Sequence, residues 1–435
     1  MISDATQDAV CLVAERLASP EAVGEIASRE SNREPVYGAS VWNPASLSHG
    51  LPGTAMLFAV LARSDPAWMT VAHRHIAAAA DQLSTNPSNG LFAGPAALLA
   101  VVQQLPTHYQ TLRRNLLRWV AADQKRRLDA CLSRDAAGVG WHHYDVINGL
   151  GGTARLLLVD EPDAALATLR YLVQLTRPIE VDGTVVPGWW VPSDQQPTPE
   201  DSAQYPRGDF NLGLAHGITG VLAVLSCAAE SDVVVPGLDE AANRIAEWLL
   251  ARRQFDDLGA QWPCRIGWDD EIAPDAAPGL LTRAAWCYGT AGVAHTLYRA
   301  GRVFGKPAWQ SAAASALREL LHRPEGTWLL DGPTICHGYS GLLRIIQRLA
   351  AATGDAEFRS AQDALTRRIL TFMDEECPFG FAHVVPDSPY GWQHASGQRR
   401  LDIAGLLEGA AGVALVLEGT DPAPIADWDT ALLLS

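Results

Sequence analysis

Residues 284–294 read AAWCYGTAGVA: a cysteine, a glycine pair spaced G-x-x-G at Gly289 and Gly292, and the start of a small, apolar run. The frame returns at residues 334–343, TICHGYSGLL, with Cys336 again two residues ahead of the first glycine. It then recurs along the chain, beginning at Gly50, Gly149, Gly217, Gly289, Gly338 and Gly409, with a degenerate copy at Gly94 in which Ala97 stands for the second glycine. Successive copies lie 44 to 72 residues apart, which leaves room for one further helix and a loop between each pair. Seven helical hairpins are expected.

The segments that follow each frame, such as 221–228 and 413–417, are apolar all round, as suits helices buried on several sides. Between the frames, 111–128, 239–253 and 306–321 carry apolar residues at three and four spacing among Arg and Glu, the mark of one-sided helices. The pattern predicts an all-α fold, an α/α toroid in which a ring of seven outer helices surrounds a ring of seven inner ones. The glycines fall where the chain enters an inner helix and neighbouring backbones crowd together. Repeats of unequal length argue against an open solenoid of identical units.

At 435 residues and 48% hydrophobic the chain can bury a large core. Length alone suggests about three domains, but the repeats favour a single domain over 1–435. Two stretches break the hairpin rhythm: a Pro/Gly/Trp-rich insertion at 177–211, with a turn signal at Asp182-Gly183, and a second irregular excursion at 374–400. The first is expected near the cavity mouth, its tryptophans offering apolar contact to a peptide, with a plain surface excursion as the competing reading. The acid pairs after Phe255 and Trp268 read as solvated loops rather than metal ligands. No run of about eighteen apolar residues exists, and the N-terminus MISDATQDAV lacks the basic start of a signal peptide, so a cytoplasmic protein is expected. A net charge of −16 without any basic run speaks against binding nucleic acid.

Seven cysteines scattered over this length do not make a disulfide framework. Cys11, Cys131 and Cys227 read as small hydrophobes in helical settings. Cys287 and Cys336 share one frame position, and His337 adjoins the second: two soft ligands and an imidazole from two loops, suited to a three-ligand zinc site. In the repeat register His49, Ala93, Asn148, His216, Tyr288, His337 and Glu408 immediately precede their frames, with Asp145 and Cys287 slightly upstream. These groups should converge on one mouth of the barrel and together form a site.

The strings NLGLAHGITGVLAVL (211–225), AAWCYGTAGVA, TICHGYSGLL and LDIAGLLEGAAGVALVL (401–417) resemble those of the lanthionine synthetase C family, the cyclases of class I lanthipeptide (lantibiotic) biosynthesis, over essentially the full chain. The resemblance implies a toroid with one zinc ion per chain, held by Cys287, Cys336 and His337. It also implies catalytic residues at His216, Asp145, Arg283 and Tyr288, and a precursor peptide whose serines and threonines have been dehydrated. As further partners it implies a dehydratase and an exporter, and with them a peripheral place at the inner face of the membrane, although nothing in the chain anchors it there.

Two cysteine thiolates and a neutral histidine cancel the charge of the dication, so a substrate thiolate in the fourth position makes the site anionic and keeps the sulfur nucleophilic. Addition of that sulfur to a dehydroalanine or dehydrobutyrine leaves an enolate that needs stabilising on oxygen and a proton on carbon. His216 is the first candidate for the donor, Asp145 for its orienter or a base, and Arg283 and Tyr288 for the enolate. Asp145 at a helix start can equally be a capping group, and Arg283 can be an ordinary ion-pair partner. Zinc prenyltransferases would need a basic diphosphate pocket, and carbohydrate-active toroids two catalytic carboxylates; neither is evident. A LanC-like thiol- or glutathione-binding protein, or a glutathione-adding one without ring-forming activity, stays open as the alternative.

Overall fold

Six frames place their first glycine at the N-cap of a helix, and the degenerate copy starts its helix after Ala93. The reason is close backbone approach. A Cβ on Gly217 would stand 2.5 Å from the Asn211 carbonyl oxygen, and one on Gly412 would land on the carbonyl of Leu406. The structure, a computed structural model, describes residues 2–83, 90–273, 281–388, 395–419 and 427–435.

The helices entered at the frames are Leu51–Leu61, Gly94–Val102, Leu150–Asp160, Ile218–Glu230, Thr290–Val303, Tyr339–Thr353 and Ala410–Glu418. The first two are buried at every position, as their lack of a polar face requires. Helices between the frames bury one stripe only. In Leu238–Ala251 it is Leu238, Ala241, Ala242, Ile245, Ala246 and Leu249, at the spacing of one helical face. The expected helices at 111–128, 239–253 and 306–321 are present as Gln110–Leu132, Leu238–Ala251 and Pro307–His322.

The chain divides into two compact units. One comprises Met1–Leu116, Leu329–Thr430 and Ser435. In it the frame helices Leu51–Leu61 and Tyr339–Thr353 pack on Trp68–Asp81 and Ala356–Leu370, the helices that follow them. Ala410–Glu418 takes its partner from the other end of the chain, the N-terminal helix Ile2–Leu17. The second unit comprises Leu117–Trp328 and Ala431–Leu434. Here Leu150–Asp160 packs on Pro162–Leu175, Ile218–Glu230 on Leu238–Ala251, and Thr290–Val303 on Pro307–His322.

Among the described residues the β-strands form four two-stranded antiparallel sheets, beside isolated bridges such as Ser46 with Ala93. In the insertion Ile179–Val181 pairs with Thr184–Val186 across Asp182 and Gly183, both at positive φ, the turn that this dipeptide favours. Asp209–Asn211, closing the insertion, pairs with Arg265–Gly267. Gln254–Asp256 pairs with Gly259–Gln261. In the second excursion His383–Pro386 pairs with Gln398–Leu401, while residues 389–394 lie outside the described residues. The two acid pairs are not plain solvated loops. Asp256 takes two 2.7 Å hydrogen bonds from the buried Arg323, and Trp268 is buried at the start of a short helix, Trp268–Ile272.

Candidate functional site

Hydrogen bonds between frame loops set the register of the site. In the second unit the Val146 amide donates to the Ala215 carbonyl (3.0 Å) and the Ala215 amide to the Cys287 carbonyl (3.3 Å). In the first unit the amides of Ile335 and Cys336 donate to Leu407, Leu406 to Leu47, and Leu47 to Phe92. Loops far apart in sequence are thus stitched side by side, and the side chains just ahead of each frame gather within each unit.

In the second unit the gathered groups are Asp145, His216, Tyr288, Arg283 and Cys287. Asp145 is fully buried, and its Oδ2 lies 2.5 Å from Nδ1 of His216. Its Oδ1 accepts the amides of Asn148 (2.8 Å) and Gly149 at the mouth of the next helix. Oδ1 thus ties the turn just ahead of the helix, whose N-cap, Gly149, takes no side-chain cap bond, while Oδ2 orients the imidazole; the capping reading is replaced by a brace on the loop before the cap. The carboxylate fixes which imidazole nitrogen is engaged and leaves Nε2 to exchange protons. Trp141 stacks on His216 with ring centroids 4.8 Å apart. The Tyr288 hydroxyl accepts a 3.1 Å bond from Asn211 Nδ2, and burial raises its pKa well above the ordinary phenol value, so it stays a neutral donor. Cys287 is buried, close to Cys264, whose thiol burial pushes up to about 12 against the pull of Arg283. Cys264 is accordingly an inert neighbour.

In the first unit Cys336 and His337 are partly exposed at the entry of Tyr339–Thr353. The Asp331 amide donates to the His337 carbonyl at 2.9 Å, and the Asp331 carboxylate lies 3.6 Å from His337 Nε2. His337, His383 and Glu408 bring their ligand atoms within 4.8 Å of one another. Glu408 is 2.6 Å from His49 Nε2 and 4.0 Å from His383 Nε2. Burial opposes ionisation of Glu408, but His49 and His383, with His337, outweigh it and hold the carboxyl well below the ordinary range. Burial likewise opposes a charge on His49, and Glu408 overrides it, whereas His383 is held down at about 4 by burial. His49 and Glu408 were marked by their register before a frame. His383 carries no such mark, because it comes from the hairpin of the second excursion.

The site residues read from the sequence thus fall into two groups, Asp145, His216, Arg283, Tyr288 and Cys287 in one unit and Cys336 with His337 in the other. Among the described residues no helix is long and apolar enough to cross a membrane. A solved structure titled nisin cyclase matches with a TM-score of 0.75 at 23% identity, covering 90% of this chain and 92% of that one, and shows the fold, an all-α toroid. The nisin biosynthesis protein NisC of Lactococcus lactis subsp. lactis is 24% identical over 412 residues, 89% of this chain and 88% of that relative. The model of the family described as lanthionine synthetase C-like protein matches residues 41–433, and the chain belongs to that family.

Proposed function

We propose that this protein is a zinc-dependent lanthipeptide cyclase that closes lanthionine and methyllanthionine rings. Its substrate is a precursor peptide whose cysteines add, as thiolates, to dehydroalanine or dehydrobutyrine. The observation that carries this reading is the pair of the buried Asp145 with the partly exposed His216, set beside the Cys287 loop by the bond from Ala215 to Cys287. The nisin-related titles of its relatives point the same way. A family model that matches residues 41–433 supports one functional domain.

The donor set fits zinc: Cys287, Cys336 and His337 are the soft nitrogen and sulfur ligands this ion selects, and the backbones at Cys336 and His337 are held by Leu407 and Asp331. We assign these three residues to one zinc ion per chain. Zinc so held would supply deprotonation of a substrate thiol while leaving its sulfur nucleophilic.

The chain's own residues supply the rest. As sulfur bonds to the β-carbon, the carbon–carbon double bond opens and negative charge moves to the amide oxygen. Tyr288, a neutral donor, and Arg283 are the groups to stabilise that oxygen. His216 gives the proton from Nε2 to the α-carbon and regains one from the thiol, while Asp145 holds Nδ1. The acceptor residues must already be dehydrated, so a dehydratase acts first. An exporter would follow, with the cyclase in the cytoplasm and peripheral to the membrane through such partners. Between the insertion and Trp268 a cavity of about 340 Å³, lined by Trp190, Pro192, Pro206 and Trp268 with Arg207, Asp182 and Asp194, offers apolar surface with charges of both signs to the peptide.

Zinc content is the first test. One zinc per chain, lost in folded Cys287→Ala and Cys336→Ala variants together with cyclisation of a dehydrated precursor, is expected. A folded parent that takes up no zinc when supplied with it overturns the reading and favours a LanC-like thiol- or glutathione-binding role.

A further inference from the structure

We propose that Trp141, clamped by Arg265, is a positioning residue for His216, and that the insertion at 177–211 exists in part to build this clamp. The inference rests on the reading of His216 as proton donor.

An imidazole held by one nitrogen can still swing about that bond. Asp145 takes the Nδ1 edge of His216, and Trp141 covers a face, with an angle of 26° between the rings. Both partners come from one turn, in which the Asp145 amide donates to the Trp141 carbonyl at 2.9 Å. The indole itself is fixed by stacking: its buried Nε1 has no hydrogen-bond partner among the described residues.

The other element against Trp141 is Arg265, whose guanidinium carbon lies 5.2 Å from the indole centroid. A largely buried arginine, here 10% exposed, is costly unless its nitrogens find partners, and each of the three does. Nε donates to Asp209 at 2.6 Å, one terminal nitrogen to Asp201 and the other to Gln196. Gln196 in turn donates to Asp209 at 2.6 Å, and the Tyr205 ring lies 4.2 Å from the guanidinium carbon. All four partners, Gln196, Asp201, Tyr205 and Asp209, belong to the insertion. Its closing strand, Asp209–Asn211, also pairs with the strand of Arg265 and carries the Asn211 that holds Tyr288. Five residues beyond that strand stands His216. A mere surface excursion has no use for a largely buried arginine with a partner on each nitrogen, set against an aromatic ring.

Carbon protonation is sensitive to such bracing, because the proton must arrive along one direction at one face of a planar enolate. A misplacement of about 1 Å can cost on the order of 100-fold in rate.

The test compares Trp141→Leu, Trp141→Phe, Arg265→Gln and His216→Ala, each zinc-loaded and checked for folding, on a dehydrated precursor peptide. Trp141→Leu is expected to lower kcat by roughly 10- to 100-fold with KM within about twofold, and to give rings of mixed α-carbon configuration. Trp141→Phe should restore most of the rate and the single configuration. Arg265→Gln, which keeps the indole, should show a smaller loss of the same kind and decides the matter if Trp141→Leu does not fold. Nitrogen-15 resonances of the His216 ring, read without turnover, should shift and broaden in Trp141→Leu as the ring swings about the bond to Asp145, and stay as in the parent if Trp141 does not brace it. An inactive His216→Ala beside Trp141→Leu and Arg265→Gln variants of parental kcat and configuration overturns the clamp alone. A His216→Ala variant that cyclises at the parental rate overturns the assignment beneath it.

Discussion

Oδ2 of Asp145 lies 2.5 Å from Nδ1 of His216, while Oδ1 of the same carboxylate accepts the amides of Asn148 and Gly149. One buried group both ends a loop and aims a proton donor, so its two duties can be separated by substitution. Asp145→Asn keeps an acceptor for the amides but loses the anion beside the imidazole. It should fold and bind zinc normally while cyclising roughly 100-fold or more slowly. Asp145→Ala should lose about 1–3 kcal/mol of stability in addition, because the Asn148 and Gly149 amides lose their acceptor. Denaturation midpoints and single-turnover rates for the two variants check this; equal rates for Asp145→Asn and the parent would remove the catalytic duty.

Acid stability should depend on Asp429. Arg344 Nε and Arg348 Nε reach its Oδ2 at 2.7 and 2.8 Å, and both Arg344 and Asp429 are fully buried. Burial alone would raise this carboxyl, but Arg344 and Arg348 bring it down to about 2. A depressed carboxyl stabilises the fold above its unfolded value, about 3.9, and that contribution is lost as pH falls from there through about 2. Asp429→Asn should cost about 3–5 kcal/mol at neutral pH, because Arg344 is left buried without its charge partner. The variant should also show a flatter fall of the urea midpoint between pH 4 and 2.

His75 acts in a higher window. Its Nδ1 lies 2.7 Å from Thr54 Oγ1, and burial holds the imidazole down at about 4. The unfolded chain takes up this proton near pH 6.5, so the contribution is complete above that value and declines as pH drops towards 4. His75→Leu should reduce the pH dependence of the urea midpoint between pH 6.5 and 4, with cyclisation at neutral pH little changed. An unaltered slope would show that His75 does not titrate in this way.

Two glycines should behave oppositely to expectation from backbone angle alone. Gly305 has φ +62° with nothing within 4 Å of an added Cβ, so Gly305→Ala should cost only about 1 kcal/mol. Gly412 lies inside a helix, where alanine is normally favoured, yet its Cβ would meet the Leu406 carbonyl. Gly412→Ala should therefore cost about 2 kcal/mol or more. Thermal melts of the two variants, ranked in the reverse order, would contradict the close-approach account of the frame.

The frames were legible because their cause is local. Gly217 and Gly412 are glycines for the backbone a few residues upstream, and the one-sided stripe of Leu238–Ala251 is a periodicity within one helix. The Asp182-Gly183 hairpin was legible for the same reason, since the two positive φ angles belong to the dipeptide itself. Asp145 was legible as a residue but not as a choice between cap and orienter, because the second oxygen meets a partner 71 positions away.

The sequence by itself determined the helical class, the seven helix entries, and the residue types of the proposed chemistry, since each is written in spacing along one segment. Only the tertiary structure decided that Ile2–Leu17 supplies the helix beside Ala410–Glu418, that His383 comes to His337 and Glu408 from a distant hairpin, and that Arg265 and the insertion stand behind Trp141. Those contacts join side chains far apart in the chain. Burial and charge pairing select them after the backbone has closed, and no periodicity along the sequence records them.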